Sequence, residues 1–476
     1  MNILYVNAGN AGSLGLDSFL AAPPLAIMYL TPTVPDHKKY LLDLKVHPDI
    51  PDKFIRQMIQ KGDLVAISSY TPSIKSAMRV GAIAKEYGKP VVIGGYHASL
   101  LPEVVMEPMF DVAVQNEGEL TFPELVGILE QDGKWTPENL KGVQGISYKR
   151  NGELVVNEER PLIKDLDTLP MPDRTLIGDS KYEYFGVTVD CLESSRGCVG
   201  KCDFCCVKEH TPGWRKKSPE RVVQEIEQLS RKTRWITYQD SEFTINMNRV
   251  REISDLVIEH GLDNQWYSAQ VRADDLLRDP KAFERMVDSG FHMVFMGIES
   301  AHQKSLDRIG KKESIDTIKQ AVKLCHDHGI AIFGAIIIGN IGETYDDVLK
   351  TIKYAKDLDL EIVQFTSLTP LPKTKLWEDA NENGWIEDRD WTHYDFTRVV
   401  MRTPDLTRKQ IAELVHNAYK DFYVGQGFGE YFWDRMPRYL SNRKNWWFFK
   451  MLPDFMKNIN TIVKFIEDLN TPLKIE

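Results

Sequence analysis

Apolar residues in the first third of the chain come in short runs that are separated by amphipathic stretches. The runs predict strands at residues 2–7, 40–44, 64–69, 90–95 and 111–115. The amphipathic stretches predict helices near residues 23–31, 51–61, 73–87 and 118–130. Nearly continuous apolar strands that alternate with helices are typical of a parallel, doubly wound sheet. The first third is therefore predicted to be an α/β unit of this kind.

Small and polar residues follow these predicted strands. Doubly wound sheets bind ligands at the carboxyl ends of their strands, where small residues let a ligand approach the backbone. No G-x-G-x-x-G fingerprint follows the first strand, so we do not expect a dinucleotide there. The candidate ligand contacts are Asn7, Ser68, Ser69, Tyr70, Thr71, Gly94, Gly95, Tyr96, His97, Asn116, Glu117 and Gly118.

Strand and helix patterns alternate again in the middle of the chain. Six further strands are predicted at residues 186–194, 235–240, 265–270, 292–300, 330–339 and 361–368, each followed by a helical stretch except the last. The join before them, residues 131–187, carries short alternating runs that predict a hairpin. A segment with two prolines and no helical period then predicts a linker. Residues 368–476 are predicted to be mostly helical.

Composition narrows the class of protein. The 59 Lys and Arg against 69 Asp and Glu give a net charge of −10, whereas nucleic-acid binders carry a basic footprint. The chain begins with an apolar strand instead of a basic signal region. Its longest apolar run, residues 330–338, is too short to span a bilayer. We therefore expect a cytoplasmic protein that does not bind nucleic acid.

The six cysteines are too few for a disulfide scaffold, and four of them crowd one loop in the run CLESSRGCVGKCDFCCV. That clustering predicts metal ligation in a reducing compartment. Cys198, Cys202 and Cys205 have the spacing C-x3-C-x2-C and leave a fourth ligand position unfilled. Three thiolates suit an iron–sulfur cluster with one open iron. A structural zinc site, completed by Cys206 or His210, is the alternative.

The cysteine spacing, with Phe204 just before the third cysteine, resembles the signature of radical S-adenosylmethionine (SAM) enzymes. The phrases SSYTPS, IGGYHAS and NEGE resemble the cobalamin-binding domain that precedes many radical SAM domains. The resemblance implies an N-terminal Rossmann-like cobalamin-binding domain followed by a partial (β/α)6 barrel and a helical C-terminal region. The domain boundaries expected from it are residues 1–130, 131–187, 188–367 and 368–476.

The cobalamin-binding part departs from the better-known pattern because the chain has no Asp-x-His-x-x-G motif. Cobalamin is therefore expected to have no histidine from that motif on its lower face. Tyr70 is the candidate for packing near that face. A domain that keeps the fold without the cofactor is the alternative.

The resemblance also implies how the cluster and SAM are held. The three cysteines would bind a [4Fe–4S] cluster whose open iron takes the amino and carboxylate groups of SAM. An arginine fork suits a carboxylate, and acidic side chains accept hydrogen bonds from an amine. The implied SAM contacts are Asp240 and Glu242 for the amino group, Arg272 for the carboxylate, Ser268 and Glu299 for the ribose, and Ile338 for the adenine.

The segment DWTHYDF is expected to bring His393 or Tyr394 toward the mouth of the barrel, as candidate catalytic residues. Beyond it, residues 431–457 hold nine aromatic side chains and six Lys or Arg against two Asp. Apolar bulk with cations favours contact with anionic lipid at the inner membrane face. A helix packed on the barrel with a solvated basic face is the alternative.

The function that the resemblance implies is cobalamin-dependent C-methylation. A 5′-deoxyadenosyl radical would take hydrogen from an unactivated carbon, and methylcobalamin would supply the methyl group, on a small-molecule or lipid substrate. An external electron donor of the flavodoxin or ferredoxin type is implied, because residues 1–190 and those after Cys325 have no cysteine for a second cluster. A radical SAM oxidase, cyclase or carbon–carbon coupling enzyme, on a tetrapyrrole or lipid, is one alternative. A non-enzymatic metal-binding module is the other.

Overall fold

The computed structural model describes residues 1–9, 20–184 and 186–424. Its first sheet has seven strands in the order β2-β1-β3-β4-β5-β6-β7. The first five are parallel, and β6 and β7 are antiparallel. The strands are β1 (Asn2–Asn7), β2 (Lys38–Asp43), β3 (Leu64–Ser68), β4 (Val91–Gly94), β5 (Val112–Val114), β6 (Ile146–Arg150) and β7 (Glu153–Val156).

Helices cover both faces of this sheet. In β1, Ile3 and Tyr5 enter one apolar cluster while Leu4 and Val6 enter the other, as the period of two in a strand requires. The sheet with its helices is called the N-terminal module below. The helices are α1 (Leu25–Leu30), α2 (Asp52–Lys61), α3 (Ile74–Glu86), α4 (Tyr96–Leu100), α5 (Thr121–Asp132) and α6 (Pro137–Leu140).

The β6–β7 hairpin extends this sheet beyond β5. Its turn residues, Asn151 and Gly152, have φ of 53° and 82°. Positive φ at both central positions defines the type I′ turn, which matches the twist of antiparallel strands and favours Asn-Gly.

A second seven-stranded sheet has the order β16-β15-β14-β13-β12-β9-β8. Its six strands from β9 onward are parallel and follow one another in chain order, and only β8 is antiparallel. Among the described strands, β9 does not pair with β16, so the barrel is partial. The strands are β8 (Glu183–Tyr184), β9 (Val187–Leu192), β12 (Trp235–Tyr238), β13 (Trp266–Val271), β14 (Phe291–Glu299), β15 (Ala331–Ile338) and β16 (Ile362–Ser367), while β10 (Ser195–Gly197) and β11 (Trp214–Lys216) form a separate antiparallel pair.

Helices pack against the second sheet, whereas α7 (Val207–His210) and α15 (Lys375–Glu382) lie beside the cysteine loop. Phe365 of β16, for example, contacts the rings of Tyr419 and Phe422. This sheet, the β10–β11 pair and their helices are called the barrel module below. The helices are α7 (Val207–His210), α8 (Pro219–Ser230), α9 (Met247–Glu259), α10 (Ala273–Arg278), α11 (Pro280–Asp288), α12 (Gln303–Arg308), α13 (Ile315–Asp327), α14 (Tyr345–Asp357), α15 (Lys375–Glu382) and α16 (Arg408–Tyr423).

The predicted fold class is confirmed. All eleven strands predicted from the apolar runs are present, and their ends agree to within two residues. In the described part of the chain, every helix is too short or too polar to cross a membrane. The aromatic and basic segment at residues 431–457, on which the expected lipid contact depends, lies outside the described residues.

Buried charges join the two modules. Lys217, at 0% exposure, lies 2.7 Å from Glu225 Oε1 of α8 and donates to the hydroxyl of Tyr29 in α1. Tyr29 in turn donates to Glu225 Oε2 over 2.9 Å. Because a buried charge is costly unless it is paired and hydrogen-bonded, this triad specifies how α1 packs against the barrel module.

We predict that Lys217→Met destabilises the protein by about 3–5 kcal/mol, because the Glu225 carboxylate would stay buried without its main partner. Urea unfolding of the wild type, Lys217→Met and a control variant, followed by fluorescence, measures the free energy of unfolding. The control is Lys323→Met, which removes an exposed pair with Asp327 and is expected to change stability little. Equal effects of the two substitutions would contradict the prediction.

Candidate active site

A cavity of about 150 Å³ lies at the carboxyl ends of β3, β4 and β5. Its inner part is apolar and runs between the sheet and α1, with Phe122 of α5 beside it. The strand ends form its mouth. The lining residues are Tyr5, Ala26, Ile27, Leu30, Ala66, Ile67, Ser68, Ser69, Tyr70, Val92, Gly94, Gly95, Tyr96, Val114, Asn116, Gly118, Phe122 and His210.

Two glycines at the mouth keep this space open. Gly95 has φ of 93°, and a Cβ there would lie 2.7 Å from the Ser69 carbonyl oxygen. A Cβ on Gly118 would lie 3.0 Å from Leu30 Cδ2. Only glycine satisfies such close approaches without a shift of the backbone or the neighbouring side chain.

Eight of the twelve predicted ligand contacts line the cavity, and four do not. Asn7 donates to Asp43 Oδ1 over 2.9 Å, beside β2. Thr71 and His97 are buried behind the strand ends, with 3.4 Å between Thr71 Oγ1 and His97 Nδ1. Burial lowers the pKa of His97 to about 4. Glu117 points toward the barrel module.

An aromatic row covers the mouth. Tyr70, 58% exposed, stacks on Tyr96 with 5.5 Å between ring centroids. Tyr96 in turn lies 3.9 Å from the ring of His210. Burial lowers the pKa of His210 to about 4, so its ring is neutral at pH 7.

His210 belongs to the helix that follows the cysteine loop, so the barrel module contributes to a cavity of the N-terminal module. Sequence reasoning weighed His210 only as a zinc ligand and missed this position. No local pattern could reveal it, because the contact joins residues that are far apart along the chain.

The cysteine loop runs from β10 to α7 and is fixed at its start and in its middle. Gly197, with φ of 84°, approaches so closely that a Cβ would lie 2.0 Å from the Gly213 carbonyl oxygen. Asp203 N donates to the Ile309 carbonyl over 3.0 Å, and the Asp203 carbonyl accepts from Leu376 N over 3.0 Å. Phe204 packs against the apolar cluster around Ile309 and Leu376.

Cys198, Cys202 and Cys205 are half-buried free thiols on this loop. Burial raises the pKa of the Cys202 and Cys205 thiols to about 11. Ligation must therefore displace a proton from each of them. Within the described ranges, no three His, Cys, Asp or Glu side chains gather closely enough to hold a single metal ion. Cys191 and Cys325 are buried core residues.

Charged side chains at the barrel strand ends form a network beside the loop. Arg272 lies 3.0 Å from Asp274 and 3.6 Å from Glu313. Lys311 lies 3.3 Å from Glu299 and 3.2 Å from Glu313. The pairs with Asp274 and Glu313 hold the Arg272 guanidinium in place, and its role toward the SAM carboxylate stays a prediction.

The two acidic residues after β12 differ in their roles. Asp240 accepts from Ser194 N over 2.7 Å and from the hydroxyls of Ser194 and Ser195 over 2.6 Å each, so it anchors the segment that enters the cysteine loop. Glu242 is buried beside Thr244, whose backbone N–H donates to it over 2.8 Å. Burial raises the pKa of Glu242 to about 8.

The other predicted site residues lie deeper in the protein. Ser268 is fully buried and accepts from Trp235 Nε1 over 2.9 Å. Ile338 is fully buried in the core of the barrel module. Tyr394 is also buried and donates to the Asp388 carbonyl over 3.1 Å, while His393 Nδ1 lies 2.9 Å from Asp388.

His393 lines a second cavity, of about 440 Å³, beside α3 of the N-terminal module. Nothing in these contacts tests a catalytic role for His393 or Tyr394, which stays a prediction.

The donors present fit the three groups that the resemblance implies. Three thiols on a fixed loop suit an iron–sulfur cluster, and the loop lies beside the Arg272 and Glu299 network. A glycine-rich cavity with an exposed aromatic at its mouth suits a large planar cofactor whose tail enters the apolar part. The cysteine loop, the charged network around Arg272 and the glycine-rich cavity therefore lie at one junction, where they could hold a cluster, SAM and a corrinoid.

Comparison with known proteins agrees with this arrangement. The family model of the Radical SAM superfamily matches residues 192–355, and that of the B12 binding domain matches residues 15–126. An uncharacterized methyltransferase of Pyrococcus horikoshii, PH0819, is 36% identical over 84% of this chain and 88% of its own. An anaerobic magnesium-protoporphyrin IX monomethyl ester cyclase of Rubrivivax gelatinosus is 29% identical over 80% of this chain and 70% of its own.

Two solved structures share the fold. The cobalamin-dependent SAM radical enzyme OxsB, with aqua-cobalamin and SAM bound, matches with a TM-score of 0.68 and 18% identity over 89% of this chain and 67% of its own. The radical SAM methyltransferase TsrM of Kitasatospora setae, with cobalamin and a [4Fe–4S] cluster bound, matches with a TM-score of 0.65 and 18% identity over 80% of this chain and 75% of its own.

These matches decide against the zinc-binding module and against a domain that has lost its cofactor. The similarity to PH0819 extends along most of both chains, and the two family models fall on the two modules. The chain therefore belongs to the cobalamin-dependent radical SAM enzymes, and its cofactors are a [4Fe–4S] cluster, SAM and cobalamin.

Proposed function

We propose that the protein is a C-methyltransferase that places a methyl group on an unactivated carbon of a small molecule. The observation that carries the proposal is the position of His210. This residue follows the cluster cysteines in the chain and lines the corrinoid cavity. The site that starts the radical reaction and the site that holds the methyl donor therefore share a wall. The names of PH0819 and TsrM, both methyltransferases, support methyl transfer, which is the coarser part of the proposal.

When bound, the cofactors supply one-electron cleavage of SAM, hydrogen abstraction from a strong C–H bond and a cobalt-held methyl group. The protein's own residues bind and orient. Cys198, Cys202 and Cys205 hold the cluster and leave one iron for SAM. Arg272, fixed by its acidic partners, binds the SAM carboxylate, and Glu242 and Glu299 accept hydrogen bonds from SAM.

On the N-terminal module, the aromatic row excludes water from the cavity. Tyr70 would pack near the lower face of a bound corrinoid, and the glycines of the mouth would let the cofactor approach the backbone. His210 is neutral at pH 7, so the wall that it shares with Tyr96 carries no charge toward the cavity.

The proposal extends to partners. One-electron reduction of the cluster requires an external donor of the flavodoxin or ferredoxin type, because the cysteines suffice for one cluster only. A lipid substrate at the inner membrane face is supported by the composition of residues 431–457.

Oxidative ring closure is the second candidate function. It is favoured by the 29% identity to the Rubrivivax gelatinosus cyclase over most of this chain. Such a reaction also begins with hydrogen abstraction, but it leaves no added carbon on the product.

We predict that Cys202→Ala abolishes iron binding and SAM cleavage, because two thiolates cannot hold the cluster. Iron content and deoxyadenosine release after anaerobic reconstitution measure this. Cys206→Ala is the matched control, since Cys206 lies outside the three-ligand pattern, and it is expected to keep both. An iron-loaded, active Cys202→Ala enzyme would contradict the assignment of the cluster ligands.

We predict that Gly94→Leu weakens cobalamin binding at least about tenfold, because the new side chain would occupy the cavity mouth beside Val114. Iron content and deoxyadenosine release should persist. Gly127→Leu is the control, since a Cβ at that position in α5 meets no other atom within 4 Å. Equal cobalamin titrations for the two variants would place the corrinoid elsewhere.

We predict that SAM with a deuterated methyl group transfers the label to product. The assay incubates reconstituted enzyme, reductant and candidate extracts under anaerobic conditions, and mass spectrometry detects a product in which one CD3 group has replaced one hydrogen of the substrate. An unlabelled product that has lost hydrogen would instead establish the cyclase function.

A further inference from the structure

A buried ion-pair cluster ties the corrinoid cavity to the cysteine loop. Its centre is Arg196 of β10, which is 9% exposed and lies two residues before Cys198. All three guanidinium nitrogens are engaged. Nη1 lies 2.7 Å from Glu117 Oε1, Nη2 lies 2.6 Å from Glu119 Oε1, and Nε lies 2.6 Å from Glu193 Oε1.

Glu117 and Glu119 belong to the turn at the carboxyl end of β5. Asn116 and Gly118 of the same turn line the corrinoid cavity. Positions therefore alternate along this turn. Asn116 and Gly118 face the cavity, whereas Glu117 and Glu119 contact Arg196. Asn116 has φ of 56°, and its backbone N–H donates a hydrogen bond to Ser99 Oγ over 2.8 Å, which fixes the turn.

Neighbouring contacts hold both ends of this connection. Arg215, paired with Arg196 across the β10–β11 ladder, lies 2.8 Å from Glu117 Oε1 and donates to the Ile163 carbonyl over 2.6 Å. On the barrel side, the residue just before Arg196, Ser195, is bonded to Asp240. The residue just after it, Gly197, has the positive φ that opens the cysteine loop.

We propose that Arg196 is a positioning residue that fixes the distance between the corrinoid cavity and the cluster loop. Its rigid fork suits this task, because it binds two carboxylates of one turn in a single geometry. Lysine presents a single charged nitrogen and cannot reproduce that geometry. The consequence of the fixed distance is that one substrate carbon can be reached from both cofactor sites, and this consequence rests on the proposed function.

Loss of Arg196 is expected to leave both cofactors bound while their relative position varies. The cysteines and the cavity lining do not include Arg196. Misplacement by about 1 Å can cost a reaction about a hundredfold. Radical formation at the cluster should therefore continue, while productive use of each radical falls.

The test compares Arg196→Gln and Arg196→Lys with Arg160→Gln in the reconstituted holoenzyme. Arg160 is a matched control, because it pairs with Glu124 and donates to Thr121 over 2.8 Å inside the N-terminal module. Three quantities are measured: iron and cobalamin content, the dipolar interaction between cob(II)alamin and the reduced cluster by pulsed EPR, and deoxyadenosine formed per product formed.

For both Arg196 variants we expect near-normal cofactor content, a broadened distance distribution and a rise of about tenfold in deoxyadenosine per product. Arg160→Gln should match the wild type in all three. An unchanged distance distribution would overturn the proposal whatever the ratio, as would parallel loss of iron and cobalamin. If the Arg196 variants do not fold, Glu119→Gln replaces them. We then expect smaller changes in the EPR distance distribution and in deoxyadenosine per product, and the absence of any change would refute the proposal.

The EPR distance does not depend on which product is formed, and the ratio counts any product. A cyclised product would therefore refute C-methylation and leave the assignment of Arg196 standing. An unchanged EPR distance would refute the assignment and leave C-methylation standing.

Discussion

Charge burial at the junction of the two modules is the constraint on which the arrangement of the site depends. The Lys217, Tyr29 and Glu225 triad and the Arg196 cluster both lie there, and each buries ionic groups that are costly without partners. Apolar surfaces tolerate sliding, because the hydrophobic effect is not directional. Hydrogen-bonded charges do not tolerate it. The junction is therefore specified by geometry as well as by area.

This constraint explains how separate binding functions become one site. The N-terminal module supplies a cavity at its strand ends, and the barrel module supplies the cysteine loop and the charged network around Arg272. Each part would form from its own strand–helix pattern. What brings them face to face is a set of contacts between segments that are distant in the chain, including His210 against Tyr96.

Sequence alone was sufficient for the eleven predicted strands, and it indicated three cysteines as cluster ligands, which stays a prediction. The strands are readable because the predicted runs, of five to ten residues, are mostly rich in β-branched and aromatic residues and lie between helical stretches. The spacing of Cys198, Cys202 and Cys205 is local. The strand-end contacts were partly readable. Eight of them line the cavity, whereas Asn7, Thr71, His97 and Glu117 turn elsewhere, since the rotation of a side chain at a strand end depends on the loop that follows.

The sequence did not reveal which side chains pair with residues that are distant along the chain or on another strand. Ser268 contacts Trp235 across neighbouring strands, and Tyr394 bonds to Asp388 inside the tail, yet both carry the polar groups that a site prediction selects. Arg196 was invisible for the opposite reason. A single arginine next to a cysteine motif has no pattern of its own, and the two carboxylate partners that it binds in the N-terminal module lie 77 and 79 residues away.

The turn from Asn116 to Glu119 contributes to two sites because successive positions face opposite sides. Its even-numbered positions border the cavity, and its odd-numbered positions bind the guanidinium of Arg196. Insertion or deletion of a single residue would exchange these roles. The carboxylates would then enter an apolar space, and Arg196 would lose its ion-pair partners. In homologous chains that keep both modules, the length of this turn should accordingly be invariant even where its amino acids differ.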